Sequence, residues 1–292
     1  MLAWFLDPLH YEFMRNAIAI GAVIGILCPV MGSYLIVQRM ALLGDVIAHC
    51  VLPGLSISFF CKIDILIGAF VSGIIGTFFI DWIRTQSRVK VDAAMALTFS
   101  SFFALGVLLI TTLKNTLDLD SFLFGDILGV TGLDIGRTLL VAVLILGTVK
   151  LFYKELLFYT FDRTGAQATG LPVRAIQLGF TAAVTLTIIA SMQAVGVILV
   201  IALLIGPALT AYLLVNELHW MMGLGSVFGL VASISGVYLS YYWNLPSGPA
   251  IVLISSALFL CVLLCQSLQG LATRQGYIGL DWMGQLGRLL RR

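Results

Sequence analysis

The chain has 292 residues, of which 60% are hydrophobic and 10% are charged, and its mean hydropathy is +1.07. This composition excludes a soluble globular protein, in which about 25% of residues are charged. A net charge of +2 does not favour binding to nucleic acid, and five cysteines, an odd number lying mostly in apolar runs, argue against a disulfide framework.

Apolar runs of about 20 residues recur along the chain, and this is the length that a helix needs to cross ~30 Å of hydrocarbon. In chain order they predict nine spans: 17–38, 43–61, 64–83, 92–113, 135–153, 174–191, 194–215, 220–241 and 249–267. We therefore expect an all-α, polytopic transmembrane bundle with eight or nine crossings. Residues 17–267 form this membrane domain.

Three further segments differ in composition from the spans. Residues 1–16 mix aromatic and polar side chains, which favours a position along the membrane interface. They lack the basic start and cleavage site of a secretory signal, so we expect the first helix to be retained. The stretch 120–130 is short enough to be re-entrant or interfacial, and 268–292 is expected to be a cytoplasmic tail.

The basic residues predict the orientation of the bundle, because cytoplasmic loops of membrane proteins retain Lys and Arg. Alternating the nine spans places 12 of the 16 basic residues on one side: Arg39, Arg84, Arg88, Lys90, Lys150, Lys154, Arg163, Arg174, Arg274, Arg288, Arg291 and Arg292. That side is predicted to be cytoplasmic, and the N-terminus then faces outward.

Small residues at four-residue spacing include the pairs Gly21 with Gly25, Gly125 with Gly129, and Gly225 with Gly229. Such pairs let the backbones of neighbouring membrane helices approach closely. They indicate helix packing and carry no functional assignment.

Asp45 and His49 are the candidate metal-binding residues. His49 is the one histidine placed deep in a span, about 15 Å along a helix from Arg39 at the predicted cytoplasmic edge. Ionisable groups at that depth are costly and are usually retained for a function. Because the two residues are four apart, they project from one helix face and could bind one cation, or they could form a structural hydrogen-bonded pair. Two copies in a symmetric dimer would offer oxygen and nitrogen donors suited to Mn²⁺ or Zn²⁺.

The predicted cytoplasmic loop 154–173 contains a candidate partner-binding helix. Asp162 is placed as its N-cap and Gly170 as its stop signal. The sequence contains no G-x-x-x-x-G-K-[ST] motif, so ATP-driven transport would require a separate protein to hydrolyse the nucleotide. An ordinary connector is the alternative interpretation of this loop.

Several stretches together resemble the manganese/zinc/iron-type permeases of ATP-binding-cassette transporters. Residues 38–54, QRMALLGDVIAHCVLPG, are similar to the family signature R-M-[AS]-L-[IL]-G-D-x-x-x-H-x-V-L-P-G, with Cys50 where the family usually has alanine. The other matching stretches are DAA at 92–94, FLFGDIL at 122–128, GLP at 170–172, VGVILV at 195–200, GPA at 206–208 and LPSGP at 245–249.

The resemblance implies an importer-type permease of the bacterial inner membrane, surrounded by lipid and working as a homodimer by alternating access. It implies two copies of a cytoplasmic ABC ATPase and an extracytoplasmic metal-binding protein as partners, and Asp45 and His49 as the residues that hold the transported metal. The permease itself would not be an enzyme and would need no tightly bound cofactor. The ATPase would contact the coupling segment 161–172, which includes Phe161, Asp162, Ala166, Gly170, Leu171 and Pro172.

Two other classes of function compete with this interpretation. A gradient-driven secondary transporter or channel would work without ATPase partners and is expected to show inverted repeats, which the sequence does not display. An intramembrane metalloenzyme would need more ligands and an acid/base residue, and no H-E-x-x-H motif is present. Between the metals we favour Mn²⁺, because the chain has no His-rich loop and the Cys50 side chain is expected to point about 100° away from that of His49.

Overall fold

The computed structural model describes residues 7–113, 125 and 127–289, and of residues 269–289 it describes the backbone alone. The described residues form helices and no strands. In chain order the α-helices are α1 (Glu12–Val37), α2 (Leu43–Cys61), α3 (Ile65–Gln86), α4 (Val91–Thr112), α5 (Gly132–Leu151), α6 (Tyr153–Phe161), α7 (Arg163–Ala168), α8 (Val173–Val195), α9 (Val197–Leu214), α10 (Leu218–Trp243) and α11 (Ser247–Leu289).

Nine of these helices in the described part of the chain are long and apolar enough to cross a membrane. They coincide with the nine spans predicted from the apolar runs, so the predicted all-α transmembrane class is confirmed. The two short helices, α6 and α7, both lie in the connection between the fifth and sixth spanning helices. A helix satisfies its own backbone hydrogen bonds, which is why apolar runs of this length fold this way in hydrocarbon.

The largest differences from the predicted boundaries lie at the two ends of the bundle. The first spanning helix begins at Glu12 rather than residue 17, and the Glu12 carboxylate in its first turn favours a helix start there. The last helix continues to Leu289, past the predicted end at residue 267. Within the stretch 120–130 the structure shows a 3₁₀ turn, Ile127–Gly129. Residues 1–6, 114–124, 126 and 290–292 lie outside the described residues.

The helices α1 and α2 form the centre of the bundle. Helix α1 packs against α5, α8, α9 and α10, whereas α2 packs mainly against α3 and α4, with further contacts to α8. The side chains of α1 from Leu27 to Leu35 are almost all buried. The candidate metal helix α2 is therefore supported by α3 and α4 and, to a smaller extent, by α8 and α9.

Close backbone contact joins α1 to α10 at two of the predicted glycine pairs. A Cβ atom placed on Gly229 would lie 2.1 Å from the carbonyl oxygen of Gly25, and one on Gly25 would lie 2.9 Å from the backbone of Gly229. No side chain fits at that spacing, so glycine is required on both helices.

The third glycine pair does not form a helix contact. Gly125 has a positive φ of 61° and packs against the backbone of Val195 and Gly196, while Gly129 ends the 3₁₀ turn. The four-residue spacing predicted a helix face here, but a positive φ is incompatible with a right-handed helix. Gly125 is needed for its backbone conformation and for this close approach.

Replacing Gly229 by leucine is expected to destabilise the bundle by about 1–3 kcal/mol or more, because the new side chain would meet the Gly25 backbone. The matched control is Gly223→Leu on the same helix, where a Cβ atom would meet nothing within 4 Å. The purified protein in detergent is heated to a series of temperatures, and size-exclusion chromatography then measures how much folded protein remains at each one. Equal unfolding temperatures for the two variants would contradict this packing.

Candidate metal-binding site and partner surface

Asp45 and His49 lie together on the first two turns of α2. The His49 Nδ1 atom is 3.4 Å from Asp45 Oδ1 and 2.9 Å from the Asp45 carbonyl oxygen. The structure therefore brings together the two residues that the sequence places on one helix face. Their side chains differ in exposure, with 15% of His49 and 42% of Asp45 accessible.

The short contact to the Asp45 carbonyl fixes the chemistry of the imidazole. A carbonyl oxygen can only accept a hydrogen bond, so His49 Nδ1 carries the hydrogen and donates it. In the neutral ring the lone pair is then on Nε2. A metal ligand needs such a lone pair, and many ligating histidines are oriented in this way by a hydrogen bond from their other ring nitrogen.

Two phenylalanines of α4 hold the imidazole from the side. The ring centroid of His49 lies 4.6 Å from that of Phe99 and 5.5 Å from that of Phe103, both in edge-to-face orientation. These contacts restrict the ring to one orientation and exclude water from one side of it. Sequence reasoning did not identify Phe99 and Phe103, because aromatic residues in an apolar helix look the same whether they face lipid or a site.

One chain supplies few metal donors at this site. In the part of the chain that the structure describes, no group of three or more His, Cys, Asp and Glu side chains could hold a metal ion. Asp45 and His49 are therefore a candidate half-site, open to one side on the face of the bundle made by α2 and α4.

The Cys50 thiol points away from this half-site. Cys50 is buried against α3, where Ser72 Oγ donates a 2.6 Å hydrogen bond to the Cys50 carbonyl oxygen. A Cβ atom placed on Gly76 would lie 2.6 Å from the Cys50 sulfur, so the thiol fills the space above that glycine. This agrees with the direction expected from the helical spacing.

The segment 161–172 folds as predicted into a capped short helix, α7. Asp162 is its N-cap and accepts hydrogen bonds from the Gly165 amide at 2.8 Å and the Thr164 hydroxyl at 3.2 Å. These bonds lower the pKa of the Asp162 carboxyl below its usual range, and the bond from the Gly165 amide has the largest effect. The carboxyl is therefore ionised at neutral pH. Gly170, two residues after the end of α7, has a positive φ of 83°, which stops the helix as the sequence predicted.

The side chains of this segment divide into a buried anchor and an exposed surface. Ala166 is fully buried and packs with Tyr159 and Val173, which fixes α7 to the helices on either side of it. Phe161 is 62% exposed, as an apolar residue at a contact surface would be. Sequence reasoning missed α6, the helix that precedes this segment, because its mixed composition shows no clear apolar period.

Nine helices in the described part of the chain are long and apolar enough to cross a membrane, and α2 among them carries the Asp45–His49 pair, which defines a multi-pass membrane protein. Residues 10–266 match the sequence model of the ABC 3 transport family. The chain belongs to this family, and the resemblance seen in its sequence motifs is confirmed.

Individual relatives cover nearly the same length. A membrane protein encoded in the ycf23-apcF intergenic region of Cyanophora paradoxa is 45% identical, over 89% of this chain and 88% of the relative. The manganese transport system membrane protein MntC of Listeria innocua is 42% identical, over 91% of this chain and 96% of the relative. Among solved structures, PsaBC from Streptococcus pneumoniae in complex with Fab is similar, with a TM-score of 0.81 and 40% identity over 90% of this chain and 95% of that one.

The position of the Cys50 thiol predicts that Cys50→Ala leaves the affinity for Mn²⁺ unchanged, whereas His49→Ala weakens it. Isothermal titration of the purified protein with Mn²⁺ measures both variants under the same conditions. An equal loss of affinity in the two variants would show that the sulfur contributes to the site.

Proposed function

We propose that this chain is the membrane permease of an ATP-driven importer of divalent metal ions, with Mn²⁺ as its substrate. The observation that carries the proposal is the pairing of Asp45 and His49 on one face of a membrane-spanning helix, with the Nε2 lone pair available. Membership of the ABC 3 transport family supports the transport role, and the similarity to the manganese transport system membrane protein of Listeria innocua supports the substrate.

The metal would be held between two copies of the chain. Each copy offers a carboxylate and an imidazole nitrogen on the exposed face of α2 and α4, so a two-fold axis beside this face would assemble four donors. Carboxylate oxygens suit Mn²⁺, and imidazole nitrogens are shared by most first-row divalent metals. Because the described part of one chain offers no group of three or more such side chains, the proposed site would be completed in the dimer.

The site residues have separate tasks in this proposal. The negative charge of the Asp45 carboxylate would offset the free-energy cost of removing water from the cation. The hydrogen bond from His49 Nδ1 to the Asp45 carbonyl would keep Nε2 directed outward from the helix. Opening the site to one side of the membrane and then to the other would move the ion, which is alternating access between two states of the dimer.

Energy would come from a separate ATPase in two copies, since the sequence has no phosphate-binding motif of its own. The exposed part of the segment 161–172 would be its docking surface. An extracytoplasmic metal-binding protein would deliver the ion to the opposite side.

Removal of either ligand is expected to abolish Mn²⁺ uptake. We predict that Asp45→Ala and His49→Ala each reduce uptake by at least about tenfold, because even outer-shell partners of metal ligands commonly contribute that much. His219→Ala is the matched control, since His219 is exposed and pairs with Glu217 outside the site. Uptake of Mn²⁺ and of Zn²⁺ is measured separately in cells that express equal amounts of each variant.

Three outcomes of this experiment separate the possibilities. Loss of Mn²⁺ uptake in both site variants, with His219→Ala active, supports the proposal. If the site variants lose Zn²⁺ uptake alone, the transported ion is Zn²⁺ and not Mn²⁺. Full uptake of both metals by the site variants would show that Asp45 and His49 are a structural pair.

The partner surface gives a second prediction. Phe161→Ala is expected to weaken association with the ATPase by about tenfold, because aromatic side chains at protein interfaces are commonly binding hot spots. Stability should be retained, since the side chain lies largely outside the bundle. The control is Leu151→Ala, a 75% exposed apolar residue outside the segment 161–172. Co-purification of the tagged permease with its ATPase measures the effect, and equal recovery from both variants would contradict this docking surface.

A further inference from the structure

A side-chain hydrogen bond joins the connection between α1 and α2 to the helix that leads into the segment 161–172. Gln38 Nε2 donates to Thr160 Oγ1 at 3.2 Å, although the two residues are 122 positions apart in the sequence. Gln38 caps the end of α1, and Thr160 lies in the last turn of α6, just before the N-cap of α7. Among the residues that the structure describes, no other side-chain hydrogen bond links these two regions.

The segment 161–172 is attached to the bundle at a second point. The Arg163 guanidinium donates a hydrogen bond to the Gln177 side chain of α8, and it lies 5.8 Å from the centre of the Tyr159 ring. Because the Ala166 side chain of α7 is also buried against Tyr159 of α6 and Val173 of α8, α6 and α7 are fixed to each other and to the start of α8. A displacement of α7 would therefore displace Thr160 as well.

The turn that joins Gln38 to the candidate metal helix α2 is short and closed by backbone hydrogen bonds. Arg39 has a left-handed backbone with φ of 58°, and the turn is closed by hydrogen bonds from Met40 N to Leu35 O at 2.8 Å and from Leu43 N to Met40 O at 2.9 Å. A non-glycine residue persists in the left-handed region only where its surroundings determine it strongly. Helix α2 begins at Leu43, and Asp45 lies in its first turn. Movement of Gln38 would thus be passed to Asp45 through a closed turn.

We propose that the hydrogen bond between Gln38 and Thr160 couples the partner-binding segment 161–172 to the metal helix α2. Gln38 and Thr160 would be positioning residues for transport, acting on Asp45 and His49 without touching the metal. The inference rests on the proposed function, because it assigns the path by which ATPase movement reaches that site.

The chemistry of this contact suits a connection that must change during a cycle. Both partners are uncharged and partly buried, so the bond can break and form again without leaving an isolated charge in the protein. The two residues also line a cavity of about 180 Å³ between the end of α1, α6 and α8, which leaves room for relative movement. Coupling of this kind is demonstrated by energetic dependence between the two positions.

The experiment compares variants that remove or retain the hydrogen bond. Thr160→Val keeps the shape of the side chain and removes its hydroxyl, Thr160→Ser keeps the hydroxyl, and Gln38→Leu removes the donor from the other side. Thr181→Val, which lines the same cavity from α8, is the matched control. Each permease is reconstituted in liposomes with its ATPase and delivery protein, and the Mn²⁺ transported per ATP hydrolysed is measured together with ATPase recovery.

We expect Thr160→Val and Gln38→Leu each to lower Mn²⁺ transport per ATP by about two- to tenfold, the contribution of one neutral hydrogen bond, with normal ATPase recovery. Thr160→Ser and Thr181→Val should retain the wild-type ratio. The double variant Gln38→Leu with Thr160→Val should be no worse than either single variant, because both remove the same bond.

Two results would overturn the proposal: a wild-type ratio in both Thr160→Val and Gln38→Leu, or effects of these variants that multiply in the double variant. The hydrogen bond is removed by Gln38→Leu and, independently, by Thr160→Val. The test can therefore still be made if one of these variants fails to fold. If the wild-type complex shows no ATP-dependent Mn²⁺ uptake, the proposed function itself fails, and the coupling inference falls with it.

Discussion

Hydrocarbon offers no hydrogen-bond partner to a peptide group, and the architecture of this chain follows from that constraint. Each apolar run satisfies its backbone as a helix, and helices that gain nothing from burying apolar side chains against one another must approach closely to associate. The contact between Gly25 and Gly229 provides such an approach, with one backbone directly on the other. Helix α1, fixed in this way, packs against α8 and α9, and both of these helices also contact the candidate metal helix α2.

The same constraint makes Asp45 and His49 exceptional. An ionisable pair in a spanning helix is costly, and here part of that cost is offset locally, because the imidazole donates to the Asp45 carbonyl and packs against Phe99. The carboxylate stays substantially accessible on one face of the molecule. The single chain offers one carboxylate and one imidazole at this face, and in the proposed importer a second chain would add the same two donors.

The sequence predicted the spanning helices well, because such a helix is recognised from the length of an apolar run alone. Recognising it requires no knowledge of tertiary contacts. It also predicted that Asp45 and His49 meet, since a separation of four residues decides this on one helix, and that Asp162 and Gly170 bound a short helix. It did not predict Phe99 beside His49 or Thr160 beside Gln38, because both contacts join residues far apart in sequence and of unremarkable type. The extension of the first helix to Glu12 was missed because aromatic and polar residues there resemble an interfacial segment.

In the proposed importer one Mn²⁺ ion is shared by the Asp45–His49 pairs of two chains. Pulsed electron paramagnetic resonance of Mn²⁺ bound to the purified permease tests it most directly, with metal analysis to give the number of ions per chain. We predict one bound Mn²⁺ per two chains, with nitrogen couplings from two imidazoles that disappear in His49→Ala. Binding of one ion per chain, or a Mn²⁺ signal without histidine nitrogen, would contradict the shared site.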